Sequence, residues 1–148
     1  MKTSENCINL IKVFEGFSSK PYMCPAGVPT IGYGSTRYAD NKPVKLADEL
    51  ITEPEAVAIL YKTLTTYEDA VNRYVSRPIN QNQFDALVDF AYNVGAQNLR
   101  TSRLLKKLNG GDINGASKEF TKWVYAGGNI LNGLVKRRLA EQALFNKA

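Results

Sequence analysis

Three polar residues near the amino terminus are spaced so that they could share one reaction site: Glu15, Cys24 and Thr30. Glu15 lies in the last turn of a predicted apolar helix, where the helix carboxyl end and the apolar neighbours favour the protonated carboxyl group. A carboxyl group that stays protonated near neutral pH is a general acid. Cys24 and Thr30 flank a predicted turn, where a thiol and a hydroxyl could orient a water molecule opposite that acid. Taken singly, the three residues are better explained as an exposed helix-end glutamate, a small buried thiol and an ordinary strand threonine.

The 148-residue chain contains two cysteines and no histidine, and this narrows the possible chemistry. Nucleophilic catalysis by Ser–His–Asp or Cys–His groups is excluded, and so are the common zinc sites, which use three or four His or Cys ligands. We therefore expect no metal and no cofactor. Residues 32–34 (Gly-Tyr-Gly) lack the further glycine or the Gly-Lys-Ser/Thr of a phosphate-binding loop, so none is predicted.

The chain carries 19 basic and 14 acidic side chains, a net charge of +5. Such a surface attracts anionic polymers, namely nucleic acid, anionic lipid or acidic cell-wall polymer, without selecting among them, and a basic surface with no dedicated partner is equally compatible. No apolar run approaches the roughly 18 residues of a membrane span, and the amino terminus has no apolar signal region. We expect no stable membrane insertion and a protein that stays in the cytoplasm where it is made.

The elements that must position the three polar residues are predicted from apolar spacing and turn signals. Residues 4–15 form a helix with one apolar face, and Gly16 ends it. Short strands at 21–24 and 30–34 flank a Pro-Ala-Gly turn at 25–27, which predicts a β-hairpin or a three-stranded sheet. A sheet this small must pack on the first helix to be stable.

A long helix at about 53–75 begins at Thr52 with a capping sequence and would join two lobes of a single domain, about 1–60 and 76–148. Further helices are predicted from Asn80 to Gly95, at 102–108, from Asp112 through Val124, and from Asn132 onward. The expected fold class is α+β and mostly helical, with a small N-terminal lobe containing the hairpin and a larger helical C-terminal lobe.

The spacing of these motifs resembles that of the phage-type lysozymes (endolysins), glycoside hydrolase family twenty-four. In the family pattern a glutamate is followed after eight residues by an aspartate or sometimes a cysteine, and after five more by a threonine. The resemblance covers essentially the whole chain. Matching segments are Phe14–Phe17, Cys24, Thr30–Gly34, Gln83–Gly95, Ser102–Asn109, Trp123, Ala126–Gly128, Gly133–Arg138 and Glu141.

The resemblance implies a lysozyme-like fold and a muramidase that hydrolyses the β-1,4 bonds between N-acetylmuramic acid and N-acetylglucosamine in peptidoglycan, lysing the host cell at phage release. Glycoside hydrolysis needs one protonated acid and a second group that handles water, and it needs no metal or histidine. Glu15 would be the acid, with Cys24 and Thr30 positioning or activating water for an inverting attack. Carried over by position, the glycan cleft would be lined by Thr36, Tyr92, Ser102 and Ser117, and Arg137 would pair with Glu15, an exposed helix arginine being the alternative.

Two positions depart from the family pattern: Cys24 stands where many members have aspartate, and Ser35 where most have histidine. A thiol has an ordinary pKa of about 8.5 against about 3.9 for aspartic acid. A nearby ionised Glu15 would raise the thiol pKa further, so we expect Cys24 to be mainly neutral and to orient water or act as a weak base. A nucleophilic role lacks the usual histidine partner. At Ser35 we expect a local change in stability and no loss of activity.

Several alternatives remain open at this point. The protein could be a lytic transglycosylase, which would use the same acid but add no water to the product. It could be a wall-binding module that lost its activity when Cys24 replaced the aspartate. A helical nucleic-acid binder is suggested by the net charge alone. A disulfide between Cys7 and Cys24 in an oxidising compartment would block the site, but Cys7, two helical turns before Glu15, is expected to be too far away and too buried to form it. The resemblance implies binding to glycan strands and not to nucleic acid, and we expect a monomer because nothing in the sequence requires a larger assembly. It would wait in the host cytoplasm and reach the periplasmic wall after a holin permeabilises the membrane.

Overall fold

The computed structural model of the chain describes all 148 residues, which form two compact units, residues 11–66 and residues 1–10 with 67–148. The unit boundaries fall within the first two helices. In chain order the elements are α1 (Glu5–Glu15), β1 (Ser18–Met23), β2 (Pro29–Gly32), α2 (Glu53–Tyr74), α3 (Gln81–Val94), α4 (Ala96–Thr101), α5 (Arg103–Asn109), α6 (Ile113–Glu119), a 3₁₀ helix (Phe120–Lys122), β3 (Tyr125–Ala126), β4 (Asn129–Ile130) and α7 (Asn132–Phe145).

The unit of residues 11–66 contains the predicted hairpin. Strands β1 and β2 pair antiparallel, with Tyr22 opposite Thr30, and the register is irregular between Ser18 and Tyr22. The sheet has two strands rather than three, and Cys24 follows β1 in the turn rather than lying within the strand. Gly32 has a φ of 66°, and a Cβ there would lie 3.1 Å from the Ala56 Cβ. Only glycine allows the hairpin to pack this closely on α2.

Helix α2 begins as the capping sequence predicts. The Thr52 hydroxyl accepts a hydrogen bond from the Glu55 amide at 3.3 Å, and the Glu55 carboxylate accepts one from the Thr52 amide at 3.1 Å. The helix runs for 22 residues, one residue short of its predicted end. None of the helices is both long and apolar enough to cross a membrane.

The larger unit is built around α3, whose residues 84–91 are all buried. Asn80 caps it with both hydrogen bonds of a capping box, and Gly95 ends it as predicted. The Phe90 ring packs edge-on against Phe120 and Trp123, with ring centroids 5.4 and 5.5 Å apart. The centroids of Phe120 and Phe145 are 5.3 Å apart. These aromatic contacts hold α7 and the 3₁₀ helix around the buried helix.

The predicted helix from Asp112 through Val124 was wrong at its carboxyl end. Helix α6 ends at Glu119, the chain continues as a single 3₁₀ turn, and a small hairpin, β3–β4, follows. Gly127 and Gly128 form the hairpin turn with φ values of 58° and 82°, so they shape a turn rather than only ending a helix. Helix α4, between Gly95 and Ser102, was also missed, because it is only six residues long.

Candidate active site

Glu15 is the last residue of α1, and its side chain is partly exposed. The helix ends there because Gly16 takes a φ of 69° while its amide still donates to the Lys12 carbonyl oxygen at 3.1 Å. Phe17 then packs its ring against Tyr33, with the centroids 5.6 Å apart. The predicted helix and its stop signal are confirmed, and they place Glu15 beside the start of the hairpin.

A polar cluster fixes this end of α1 to the start of α2. The Tyr33 hydroxyl donates to Glu53 at 2.8 Å, and the Lys12 ammonium lies 3.1 Å from the same Glu53 oxygen. The hydrogen bond from Tyr33, followed by that from Lys12, lowers the pKa of Glu53. Burial raises the pKa of Tyr33, and its bond to Glu53 adds to this. The cluster keeps the last turn of α1 in a defined orientation.

Cys24 lies where the hairpin turns. Its amide donates to the Val28 carbonyl oxygen at 3.1 Å, and its own carbonyl accepts from the Gly27 amide at 2.9 Å. The Val28 amide lowers the pKa of the partly exposed Cys24 thiol, and the Thr30 hydroxyl contributes in the same direction. The expectation that a nearby carboxylate would raise this pKa was therefore wrong, because donors in the turn stabilise the thiolate more directly.

Thr30 is buried, with 3% of its surface exposed, and it lies on β2. Its hydroxyl donates to the Val28 carbonyl oxygen at 2.9 Å and is also within hydrogen-bonding reach of Cys24. The sulfur and the hydroxyl are therefore neighbours, as the turn predicted.

Tyr22 belongs to the same group of residues and was not singled out from the sequence. Tyr22 lies near the end of β1, two residues before Cys24, and is the partner of Thr30 in the register, so Tyr22 and Thr30 share one face of the hairpin. Burial raises the pKa of Tyr22, and the negative charges of Glu15 and Cys24 raise it further. The charges of Glu15 and Cys24 therefore both reach the phenol, and Thr30 is its neighbour across the hairpin. The two-residue spacing from Tyr22 to Cys24 was the available signal.

The residues expected to line a glycan cleft have different surroundings. Thr36 is exposed in the smaller unit, and in the larger one Tyr92 is half-buried and meets Tyr67 edge-on at 5.4 Å. The buried Ser102 hydroxyl caps α5, accepting from Leu105 at 3.1 Å and donating to Leu99 at 2.7 Å. Ser117 is 5% exposed on α6. Their contact with glycan stays a prediction.

Arg137 is buried in the larger unit rather than exposed on its helix, with 3% of its surface accessible. Its guanidinium binds both oxygens of Asp89, at 2.8 and 3.1 Å, and its Nε lies 3.8 Å from Glu141. Burial raises the pKa of Glu141 well above its ordinary value, and Asp89 adds to this both as a hydrogen-bond acceptor and as a nearby negative charge. The pair with Asp89 was not predicted, and a pair with Glu15 stays a prediction.

Both cysteines are free thiols. Cys7 is fully buried in the larger unit, where burial and then the charges of Asp89 and Asp85 raise its thiol pKa. Of the two thiols, only Cys24 is therefore accessible for chemistry.

Ser35 occupies the position at which most members of the family have histidine. It is buried, and its hydroxyl makes no hydrogen bond.

Known proteins match this chain over nearly its whole length. A model of the phage lysozyme family matches residues 12–141. An endolysin of Acyrthosiphon pisum secondary endosymbiont phage 1 is 41% identical over 152 residues, with all of both chains covered. The endolysin of Bacillus phage B103 is 41% identical over 145 residues. This match covers 98% of the present chain but only 54% of the Bacillus phage protein. The crystal structure of a P22 lysozyme mutant superposes with a TM-score of 0.89 at 35% identity, covering 99% of both chains.

Proposed function

Because the chain belongs to the phage lysozyme family, we propose that Glu15, Cys24 and Thr30 together catalyse its reaction, the hydrolysis of peptidoglycan. The chain is an endolysin and a glycoside hydrolase that lyses the host cell, and the lysozyme-like fold expected from its sequence is confirmed. One observation supports the three-residue site above all. The hairpin brings the Thr30 hydroxyl within hydrogen-bonding reach of Cys24, and Tyr22, the register partner of Thr30, has its pKa raised by both Glu15 and Cys24.

Glu15 is the general acid. It donates its proton to the oxygen of the β-1,4 bond between N-acetylmuramic acid and N-acetylglucosamine. The bonding electron pair leaves with that oxygen, and positive charge develops at the sugar carbon. Lys12, Tyr33 and Glu53 form a separate cluster with one another, and this cluster holds the end of α1 that carries the acid.

Cys24 and Thr30 handle the attacking water. As water adds to the sugar carbon, its proton passes to the Cys24 thiolate, which becomes the neutral thiol, and the Thr30 hydroxyl orients the water oxygen. A general base works best when its pKa lies near the working pH. The Val28 amide lowers the thiol pKa and so increases the fraction of Cys24 present as thiolate, the form that can accept the proton. A direct attack of this kind inverts the anomeric configuration.

The rest of the proposal concerns substrate binding and the place in the cell where the protein acts. From the family resemblance, glycan contact is proposed for Thr36 in the smaller unit and for Tyr92, Ser102 and Ser117 in the larger unit. The protein acts as a monomer on glycan strands and does not bind nucleic acid. It accumulates in the host cytoplasm and reaches the periplasmic wall when a holin permeabilises the membrane.

Analysis of the products tests this reaction. Purified peptidoglycan is digested in heavy-oxygen water, and the released muropeptides are measured by mass spectrometry and early proton NMR. Hydrolysis by a single displacement predicts reducing muramic acid ends that carry one heavy oxygen and form first as the inverted anomer. Anhydro-muramic ends would instead indicate a transglycosylase, and binding without release of any fragment would indicate an inactive wall-binding module.

The two thiols are expected to differ in reactivity. Because the Cys24 pKa is lowered and the Cys7 pKa is raised, iodoacetamide should label Cys24 alone, with a rate that rises at lower pH than for an ordinary thiol. Peptide mass spectrometry across pH measures the labelling, and lytic activity should fall in step with it. The Cys24→Ser variant is the control and should take up no label. Full activity after complete labelling of Cys24 would contradict its role.

A further inference from the structure

We infer that Tyr22 is a fourth residue of this site that contacts substrate, its hydroxyl donating a hydrogen bond to an oxygen of the sugar beside the bond that is cleaved. The acceptor is a sugar hydroxyl or an N-acetyl carbonyl oxygen of the glycan strand. The inference rests on the proposed function, because it takes Glu15, Cys24 and Thr30 to be the groups that act on that bond.

The hairpin places Tyr22 on the face used by the other groups. Tyr22 stands directly opposite Thr30 in the register, and directly opposed residues of an antiparallel pair have their Cβ atoms about 4.5–5.5 Å apart. Cys24 follows two residues later in the turn, within hydrogen-bonding reach of the Thr30 hydroxyl. Tyr22 is therefore adjacent to Thr30 and within the electrostatic reach of Glu15 and Cys24, so a sugar bound at these groups comes close to the Tyr22 side chain.

The Tyr22 hydroxyl is available to bind a ligand, whereas the hydroxyls of two other tyrosines of this unit already donate hydrogen bonds within the chain. Tyr33 donates to Glu53 at 2.8 Å and Tyr38 donates to Asp48 at 2.8 Å, whereas the Tyr22 hydroxyl has no hydrogen-bond partner in the chain. Its side chain is 38% exposed. A tyrosine that is packed on one side and has an uncommitted hydroxyl suits sugar binding, because the ring contacts apolar sugar faces while the hydroxyl donates.

The charges around Tyr22 keep it a donor. Burial, Glu15 and Cys24 all raise its pKa, so the phenol stays protonated at neutral and mildly alkaline pH. A protonated phenol between two groups that exchange protons during the reaction can bind sugar without competing for those protons. Tyr22 therefore acts in binding and positioning, separately from the acid and the base.

Tyr22→Phe tests the inference, since it removes only the hydroxyl and leaves the ring packed. Steady-state hydrolysis of soluble peptidoglycan fragments gives kcat and KM, and the melting temperature reports folding. We expect kcat/KM to fall about 3- to 10-fold, the loss of one hydrogen bond, with the melting temperature unchanged. Tyr61→Phe is the matched control, because Tyr61 is 45% exposed on α2 outside the site, and it should match the native protein.

Glu15→Gln measured in parallel separates the two ideas. If Glu15→Gln is inactive while Tyr22→Phe keeps native kcat/KM, the Tyr22 inference is wrong and the proposed function stands. If Glu15→Gln is fully active, the proposed function fails. A lower melting temperature in Tyr22→Phe together with the lower activity would indicate a structural role and would also overturn the inference.

Discussion

Replacing Arg137 with methionine lowers the free energy of unfolding by about 3–5 kcal/mol, because the change leaves a buried carboxylate without its cation. Asp89 is fully buried, and Arg137 binds both of its oxygens at 2.8 and 3.1 Å. Glu141 does not supply a replacement, since it is itself an acid whose pKa is raised by burial and by Asp89. Methionine keeps the apolar stem, so the loss reports the charge and its hydrogen bonds rather than a cavity. Denaturant unfolding at neutral pH measures it.

A surface pair and a double variant serve as controls for this result. Lys42→Met breaks a 3.8 Å contact between Lys42 and Asp40, both of them exposed, and should change stability little. Adding Asp89→Asn to Arg137→Met removes the unpaired charge and should recover part of the loss. If Arg137→Met is no less stable than Lys42→Met, then the buried pair contributes nothing and its description here is wrong.

The long helices could be predicted from the sequence because their signals are local. The capping residues Thr52 and Asn80 and the stop at Gly95 lie within a few positions of the ends that they define. The end of α6, the two-residue strands β3 and β4, and the six-residue α4 could not be predicted in this way. These short elements are set by packing, such as that of Phe120 against Phe90, which brings together residues far apart in the chain.

The site was predicted in part for the same reason. Spacing and the family resemblance predict Glu15, Cys24 and Thr30 as site residues, and all three lie within one short segment. The direction of the Cys24 pKa shift was missed because backbone amides of the turn cause it, and side-chain types do not reveal them. The partner of Arg137 was missed because Asp89 is 48 positions away.

Glu15→Gln removes the proton that the reaction needs while keeping the size of the side chain. A positioned general acid contributes about 100- to 10,000-fold to a rate, so kcat should fall by a factor in that range. The amide can still accept and donate hydrogen bonds, so KM and the melting temperature should stay close to native values. Glu49→Gln, an exposed glutamate in the same unit, makes the identical chemical change outside the site and should retain full activity.

The rate at which Glu15→Gln releases reducing ends from purified peptidoglycan, compared with Glu49→Gln and the native chain at equal folded concentration, tests the general-acid role most directly. If Glu15 supplies the proton, only Glu15→Gln fails to release reducing ends. Release at the native rate by that variant would show that the proton comes from elsewhere and would contradict the mechanism.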